Sequence, residues 1–247
     1  MDEKVFDRVE KKYLITKADK RELLKVIRKH MEKDSYHKSE ILSLYFDNDN
    51  YDLTANSIDW VDFKHKIRAR SYKGYDKVFM ELKTKLHRRV RNDKDEEVND
   101  NIGYKRRVMI THDDFDQLIN RQSTLTDLAQ KSVETRSDFQ IATEIDYLLA
   151  NFNLEPKIFI SYHRESYKDD HNLRITFDEK LKFRTTNLSF NSAKRDTIYF
   201  KDDHNIIMEI KAGGVMPLWL VQKLSELKLY PQPFSKIGKV YERIKNV

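Results

Sequence analysis

The stretch Lys64-His65-Lys66-Ile67-Arg68-Ala69-Arg70, followed across Lys73-Gly74-Tyr75-Asp76 by Val78-Phe79-Met80-Glu81-Leu82-Lys83-Thr84-Lys85, decides the fold. Residues two apart in a strand share a face. Lys64, Lys66, Arg68 and Arg70 therefore line one face of the first strand, and Glu81, Lys83 and Lys85 one face of the second. The other faces carry Ile67 and Ala69, then Val78, Met80 and Leu82. Such a pair reads as a hairpin with one apolar face and one face of long charged side chains.

The pattern recurs along the chain. Arg8, Glu10 and Lys12 alternate, as do Arg174, Thr176 and Asp178 opposite Leu173, Ile175 and Phe177, and Glu209 and Lys211 opposite Met208 and Ile210. For any one strand a solvated outer face explains this. Taken together, the apolar faces need partners, and the spacing supplies helices to meet them. Thr16 caps a helix reaching about Lys33, with Leu23, Leu24, Ile27 and Met31 on one side. Thr111 caps another carrying Phe115, Leu118 and Ile119; residues 124–152 are helical in two pieces; 217–229 is helical; and Ser235 caps a last helix over 236–245. Further strands are predicted at 6–15, 41–46, 104–110, 157–167, 172–178, 197–200 and 205–211. Residues 86–101 are highly charged and without period, which predicts an exposed connection.

This order predicts an α+β fold, an antiparallel β-barrel of about eight strands with helices packed outside and a C-terminal helix. The absence of repeats and linkers predicts one domain over 1–247. If helices cover the outside of a closed sheet, the charged rows line its interior. A lumen of Lys and Arg needs counter-charge, which predicts a polyanionic ligand.

Composition narrows the classes. The 247 residues carry 36% charged side chains and a formal net charge of +6, with no Cys, so neither a disulfide nor a thiolate metal site exists. The first residues are charged and lack an apolar core, unlike a secretory signal. No apolar run approaches the ~18 residues of a membrane helix, so the chain contains no membrane segment and reads as cytoplasmic. Eight His show no metal-ligand spacing. Trp60 and Trp219 read as packing residues. Net charge alone is a weak argument for nucleic acid. Glycine-rich phosphate loops are missing, so phosphate would be held by forked Arg contacts and Lys point charges.

Nine stretches in order then resemble the VTC domain, the polyphosphate-polymerase module of the triphosphate tunnel (CYTH-like) superfamily. They are Arg8-Val-Glu-Lys-Lys-Tyr13, Ser43-Leu-Tyr-Phe-Asp47, Lys66-Ile-Arg-Ala-Arg-Ser-Tyr72, Phe79-Met-Glu-Leu-Lys-Thr84, Tyr104-Lys-Arg-Arg107, Tyr162-His-Arg-Glu-Ser-Tyr167, Leu173-Arg-Ile-Thr-Phe-Asp178, Met208-Glu-Ile-Lys211 and Pro233-Phe-Ser-Lys236. The resemblance implies that Arg68, Arg70, Lys83, Arg164 and Arg174 act on the transferring phosphate. It implies that Lys12 and Lys105 bind substrate, joined on the charged rows by Lys66 and Lys211, and that Ser235 and Lys236 reach the ligand from the last helix. Glu209 matches the carboxylate for Mn²⁺ or Mg²⁺, with Glu10 a second candidate or else a partner of Lys12 or Arg70. Asp178 either shares the site or only orients Arg174. The implied activity moves the ATP γ-phosphate onto polyphosphate. Arg8 stands where hydrolytic branches carry the first Glu of ExExK, which favours the VTC branch. A triphosphatase and a non-catalytic polyphosphate sensor stand as alternatives.

Overall fold

The computed structural model describes residues 8–58, 61–91, 97–132, 136–191, 198–199 and 206–245. Its elements are β1 (Arg8–Ile15), α1 (Lys17–His30), β2 (Glu32–Asp47), α2 (Asp52–Ile58), β3 (Phe63–Tyr72), β4 (Lys77–Arg91), β5 (Glu97–Thr111), α3 (His112–Ile119), α4 (Leu125–Ser132), α5 (Arg136–Asn151), β6 (Glu155–Lys168), β7 (Arg174–Arg184), β8 (Ile198–Tyr199), β9 (Ile206–Gly213), α6 (Leu218–Glu226) and α7 (Lys236–Lys245). The expected α+β class is found. The chain forms two compact units, each assembled from separate segments.

The first unit comprises Met1–Ile41, Ser161–Lys182 and Ile198–Phe234. Its strand neighbours run β1-β9-β7-β6-β2, with β8 beside β7. The apolar sides of these strands meet two helices: Tyr13, Ile15, Ile175, Phe177, Met208 and Ile210 share a core with Leu23 and Ile27 of α1 and Leu220 and Leu224 of α6. Helix α1 begins as its sequence dictates. The Thr16 hydroxyl accepts from Asp19 N, and the Asp19 carboxylate accepts from Thr16 N, a reciprocal capping box. It ends at His30, and β2 starts at once from Glu32, where helix was expected to about Lys33.

The second unit comprises Leu42–Ile160, Phe183–Thr197 and Ser235–Val247. Its strands run β6-β2-β3-β4-β5. Ile67, Ala69, Met80, Leu82, Val108 and Ile110 pack with Phe115 and Leu118 of α3, Leu125 and Leu128 of α4, and Ala142 and Ile145 of α5. Each of the larger of these side chains, Ile, Leu, Val, Met or Phe, contributes about 1.5–3 kcal/mol when removed from water. The helices thus cover the apolar side of β3, β4 and β5, and the charged rows of those strands occupy the other side. Gly74 closes the β3–β4 turn with φ of 79°, a left-handed value that glycine adopts without a Cβ penalty.

Two further features differ from the sequence expectation. Residues 86–91 and 97–101 continue β4 and β5 as a long antiparallel ladder, with Leu86 opposite Ile102 and Arg91 opposite Glu97, where an exposed connection was expected. Backbone pairing with a neighbouring strand holds these residues extended although their sequence has no apolar alternation. Helix α2 was not anticipated. Asp47 creates it: the carboxylate, 2% exposed, accepts from Leu53 N (3.0 Å), Thr54 N (2.9 Å) and Thr54 Oγ1 (2.6 Å). Trp219 stacks on His30 at 4.6 Å between ring centroids; Trp60 lies outside the described residues. No described helix is long and apolar enough to cross a membrane.

Replacing Asp47 by Ala leaves those donors without their acceptor. It is expected to cost about 2–3 kcal/mol, within the range for a lost cap or an unsatisfied buried group, read as a fall in the midpoint of urea unfolding.

Candidate functional site

In the second unit the strand register stacks like charges. Lys66 of β3 lies opposite Lys83 of β4, and Lys83 lies opposite Lys105 of β5. One step along, Arg68 faces Glu81, which in turn faces Arg107; one step the other way, Lys64 faces Lys85. Like charges directly opposite on one face destabilise a sheet. Glu81 answers part of this. It is 4% exposed and holds Arg68 through Nε and Nη2, both at 2.6 Å, and Lys105 Nζ at 2.8 Å. Burial alone would raise its carboxyl, but Arg68, Arg70 and Lys105 outweigh burial and bring it down to about 2.

Arg68 reaches further. Its Nη1 donates to the Tyr45 hydroxyl at 3.1 Å, and its guanidinium lies 5.8 Å from the centre of that ring. Arg70 is buried and donates from Nε to Ser43 Oγ at 3.4 Å. Burial would push the Tyr45 phenol up; Arg68, Lys66 and Arg70 prevail and lower it to about 8. The second unit therefore brings together Lys66, Arg68, Arg70, Lys83 and Lys105 of the expected set. It adds Tyr45 and Glu81, which were read as parts of a pattern and not as site residues. Their signal was there: Ser43 and Tyr45 share a face by the period of two, and Glu81 is the single acid in its row.

In the first unit a second charged group forms on β1, β9 and β7. Glu10 is opposite Lys211, which is opposite Arg174; Lys12 is opposite Glu209, which is opposite Thr176. Lys211 Nζ lies 2.9 Å from Glu209 Oε1 and 3.5 Å from Glu10 Oε2. Lys12 lies 3.5 Å from Glu10 and donates to the Phe234 carbonyl at 3.2 Å. Of the two partners weighed for Glu10, Lys12 is thus one that it meets. Arg174 pairs with Asp34 at 2.9 Å. The Thr176 hydroxyl is buried and has no hydrogen-bond partner among the described residues.

Asp178 does not orient Arg174. Fully buried, it grips Arg164 with both oxygens, at 2.6 Å to Nε and 2.8 Å to Nη2. Strand β6 brings Arg164 to it, a neighbour that local sequence does not reveal. Burial opposes the charge on Arg164, yet Tyr162 and Asp178 hold the guanidinium more firmly protonated than usual. Ser235 caps α7, its hydroxyl accepting from Gly238 N at 3.2 Å, and Lys236 opens that helix. This is the capping role that its position before a helix suggests.

Among the described residues no three His, Asp or Glu gather as a complete metal cage. Glu209 and Glu10 nevertheless bring two carboxylates to adjacent strands, both beside Lys211. One or two carboxylates, completed by phosphate oxygens and water, are what Mg²⁺ commonly takes, so the residues fit such an ion.

Glu81 predicts a pH dependence. A carboxylate held at about 2 when folded and near 4.3 when unfolded stabilises the fold above the unfolded value. That stability is lost as pH falls from about 5 to 2. Wild type is expected to lose roughly 2–3 kcal/mol across this interval from Glu81 alone, and Glu81→Gln to show a flatter profile in urea titrations at each pH.

Three solved structures resemble the fold across nearly the whole chain. A protein of Pyrococcus horikoshii OT3 is 16% identical, with 96% of this chain and 99% of that one covered and a TM-score of 0.45. A candidate adenylate cyclase of Vibrio parahaemolyticus is 11% identical, with 97% and 98% covered and a TM-score of 0.42. A conserved hypothetical protein of Pyrococcus furiosus is 11% identical, with 94% and 98% covered and a TM-score of 0.40. Comparison with curated proteins gave no match. The pattern of the VTC domain matches residues 7–244, nearly the entire sequence. The chain belongs to the VTC domain family.

Proposed function

We propose that the protein is a polyphosphate polymerase-like phosphotransferase, moving the ATP γ-phosphate onto a polyphosphate chain with the help of Mn²⁺ or Mg²⁺. The observation that carries this reading is the row Lys66–Lys83–Lys105, three lysines opposite one another on adjacent strands. The row concentrates positive charge along one line of the sheet, with Glu81 paired to its Lys105 end. Phosphates joined in a chain supply repeated negative charge at short spacing, which suits a row better than a single carboxylate does. Membership of the VTC family supports the same ligand class.

The chemistry asks little covalent help of the protein. A terminal oxygen of polyphosphate, already ionised, attacks the γ-phosphorus. The bond to the β–γ bridging oxygen breaks, and ADP leaves with the electron pair. Arg68 and Arg70 clamp one phosphate from a single strand face, Arg68 held in place by Glu81. Lys83 offsets charge on the equatorial oxygens. In the first unit Arg164, whose Nε and Nη2 hold Asp178, and Arg174, paired with Asp34, are proposed as phosphate contacts through their remaining donors. Lys66 and Lys105 in the second unit, and Lys12 and Lys211 in the first, are proposed to meet phosphate as point charges, and Lys236 adds charge at the start of α7. Ser235 would contact the ligand only by sharing the hydroxyl that caps the helix. Glu209 and Glu10 would hold the divalent ion, which when bound neutralises non-bridging oxygens. The buried Thr176 hydroxyl, opposite Glu209, offers a hydrogen bond for a phosphate oxygen or a water of that ion.

Incubation with ATP and Mn²⁺ is expected to give long anionic polymer on gel electrophoresis. Arg68→Ala is expected to reduce turnover at least 100-fold, since a charged hydrogen bond made to the phosphate is worth about 1.5–3 kcal/mol before the transition state adds to it. Orthophosphate or pyrophosphate alone would instead indicate a triphosphatase. Retained polyphosphate affinity without turnover under any metal would indicate a sensor.

A further inference from the structure

The Tyr45 hydroxyl is placed unlike any other phenol in the second unit. The ring is 6% exposed, on the part of β2 beside β3. Its oxygen accepts a hydrogen bond from Arg68 Nη1. Its own hydrogen has no acceptor among the described residues. The charged groups acting on it are Arg68, Lys66 and Arg70, all on β3, and beyond Arg68 stand Glu81 of β4 and Lys105 of β5. Burying a hydroxyl without an acceptor is costly. A phenol that only filled space here would serve as well without its oxygen.

The three cations resolve the problem differently with and without ligand. In the free protein they outweigh burial and lower the phenol to about 8, so that the phenolate forms above that pH. A phosphate lying against Arg68, Arg70 and Lys66 neutralises those cations and adds negative charge nearby. Both effects return the phenol to its neutral form. The neutral O–H then has the acceptor it lacked, a phosphate oxygen.

We propose that the Tyr45 hydroxyl contacts the bound phosphate and takes up one proton from solvent as it does so. The inference rests on the phosphate-binding reading above and adds a positioning residue to it. No bond other than O–H forms: the phenolate oxygen gains a solvent proton on binding and returns it on release. Binding above pH 8 is therefore linked to proton uptake, and affinity falls as pH rises through this range. The same linkage gives the site a preference for ligands with an acceptor oxygen directed at β2, which phosphate supplies in three directions.

The test uses the whole chain and inorganic tripolyphosphate without metal, at pH 9. The absorbance of tyrosinate at 295 nm is followed on adding ligand. Wild type is expected to lose roughly 0.8 tyrosinate per molecule, the difference between a group at about 8 and one returned to about 10. Tyr45→Phe is expected to show no loss at pH 9 and, at pH 7, where the wild-type phenol is mostly protonated, to bind about 3- to 10-fold more weakly. Calorimetry in two buffers of different ionisation enthalpy should show proton uptake larger in wild type than in the variant by the same fraction, which separates Tyr45 from lysines on the same face. Because the optical signal is read on wild type, the test stands even if the variant folds poorly. Tight binding with no change at 295 nm would overturn the role of Tyr45 and leave the phosphate site intact. Absence of any tripolyphosphate binding would overturn both.

Discussion

Three lysines facing one another across β3, β4 and β5 impose the constraint to which the rest of this structure responds. A sheet tolerates such a row only where charge is answered. Glu81 answers Arg68 and Lys105 directly, and the depth at which it is held as an anion measures how strongly cations outnumber acids around it. The phenol of Tyr45 responds to the same excess by giving up its proton more readily than an exposed tyrosine. Two groups of different chemistry, a carboxyl and a phenol, are pushed in the same direction by one set of neighbours. That agreement makes the field of the face, and not any single contact, the property to explain.

The apolar side of the same strands makes the constraint affordable. Ile67, Ala69, Met80, Leu82, Val108 and Ile110 are closed over by α3, α4 and α5, and this burial holds the backbone in register whatever the charged side does. A one-residue slip would exchange the two sides completely, so the core that fixes register also fixes which cations face one another. The first unit repeats the division of labour. Its core of Ile175, Phe177, Met208 and Ile210 with α1 and α6 leaves Glu10, Lys12, Glu209, Lys211 and Arg174 on the opposite side, where acids and bases are more evenly matched. The first group carries two carboxylates beside Lys211, and the second carries the lysine row.

Much of this was legible in the order of residues, and the reasons differ by element. Thr16 and Thr111 announced their helices because a capping box is local chemistry, completed within three residues by Asp19 and Asp114. The lysine and arginine rows were visible because strand periodicity needs no tertiary knowledge. Continuation of β4 and β5 through residues 86–91 and 97–101 was not visible, since charge on both faces erases the alternation that marks a strand. Helix α2 was hidden because seven residues are too few to show a period, and its anchor Asp47 reads locally as part of a turn. Arg164 could not be joined to Asp178 from sequence, because that contact depends on which strand lies beside which. The cations around Tyr45 were out of reach for the same reason: they come from β3 and not from its own strand.

Thermal unfolding with graded tripolyphosphate tests the central claim most directly, because a ligand that binds only the folded chain must raise its melting temperature with concentration. Wild type is expected to melt progressively higher, with the gain shrinking as salt is raised, as screening of a charge-driven interaction requires. A chain carrying Lys66→Met and Lys83→Met together is expected not to respond. An equal rise in both proteins, or none in wild type, would contradict the assignment of this lysine row to phosphate.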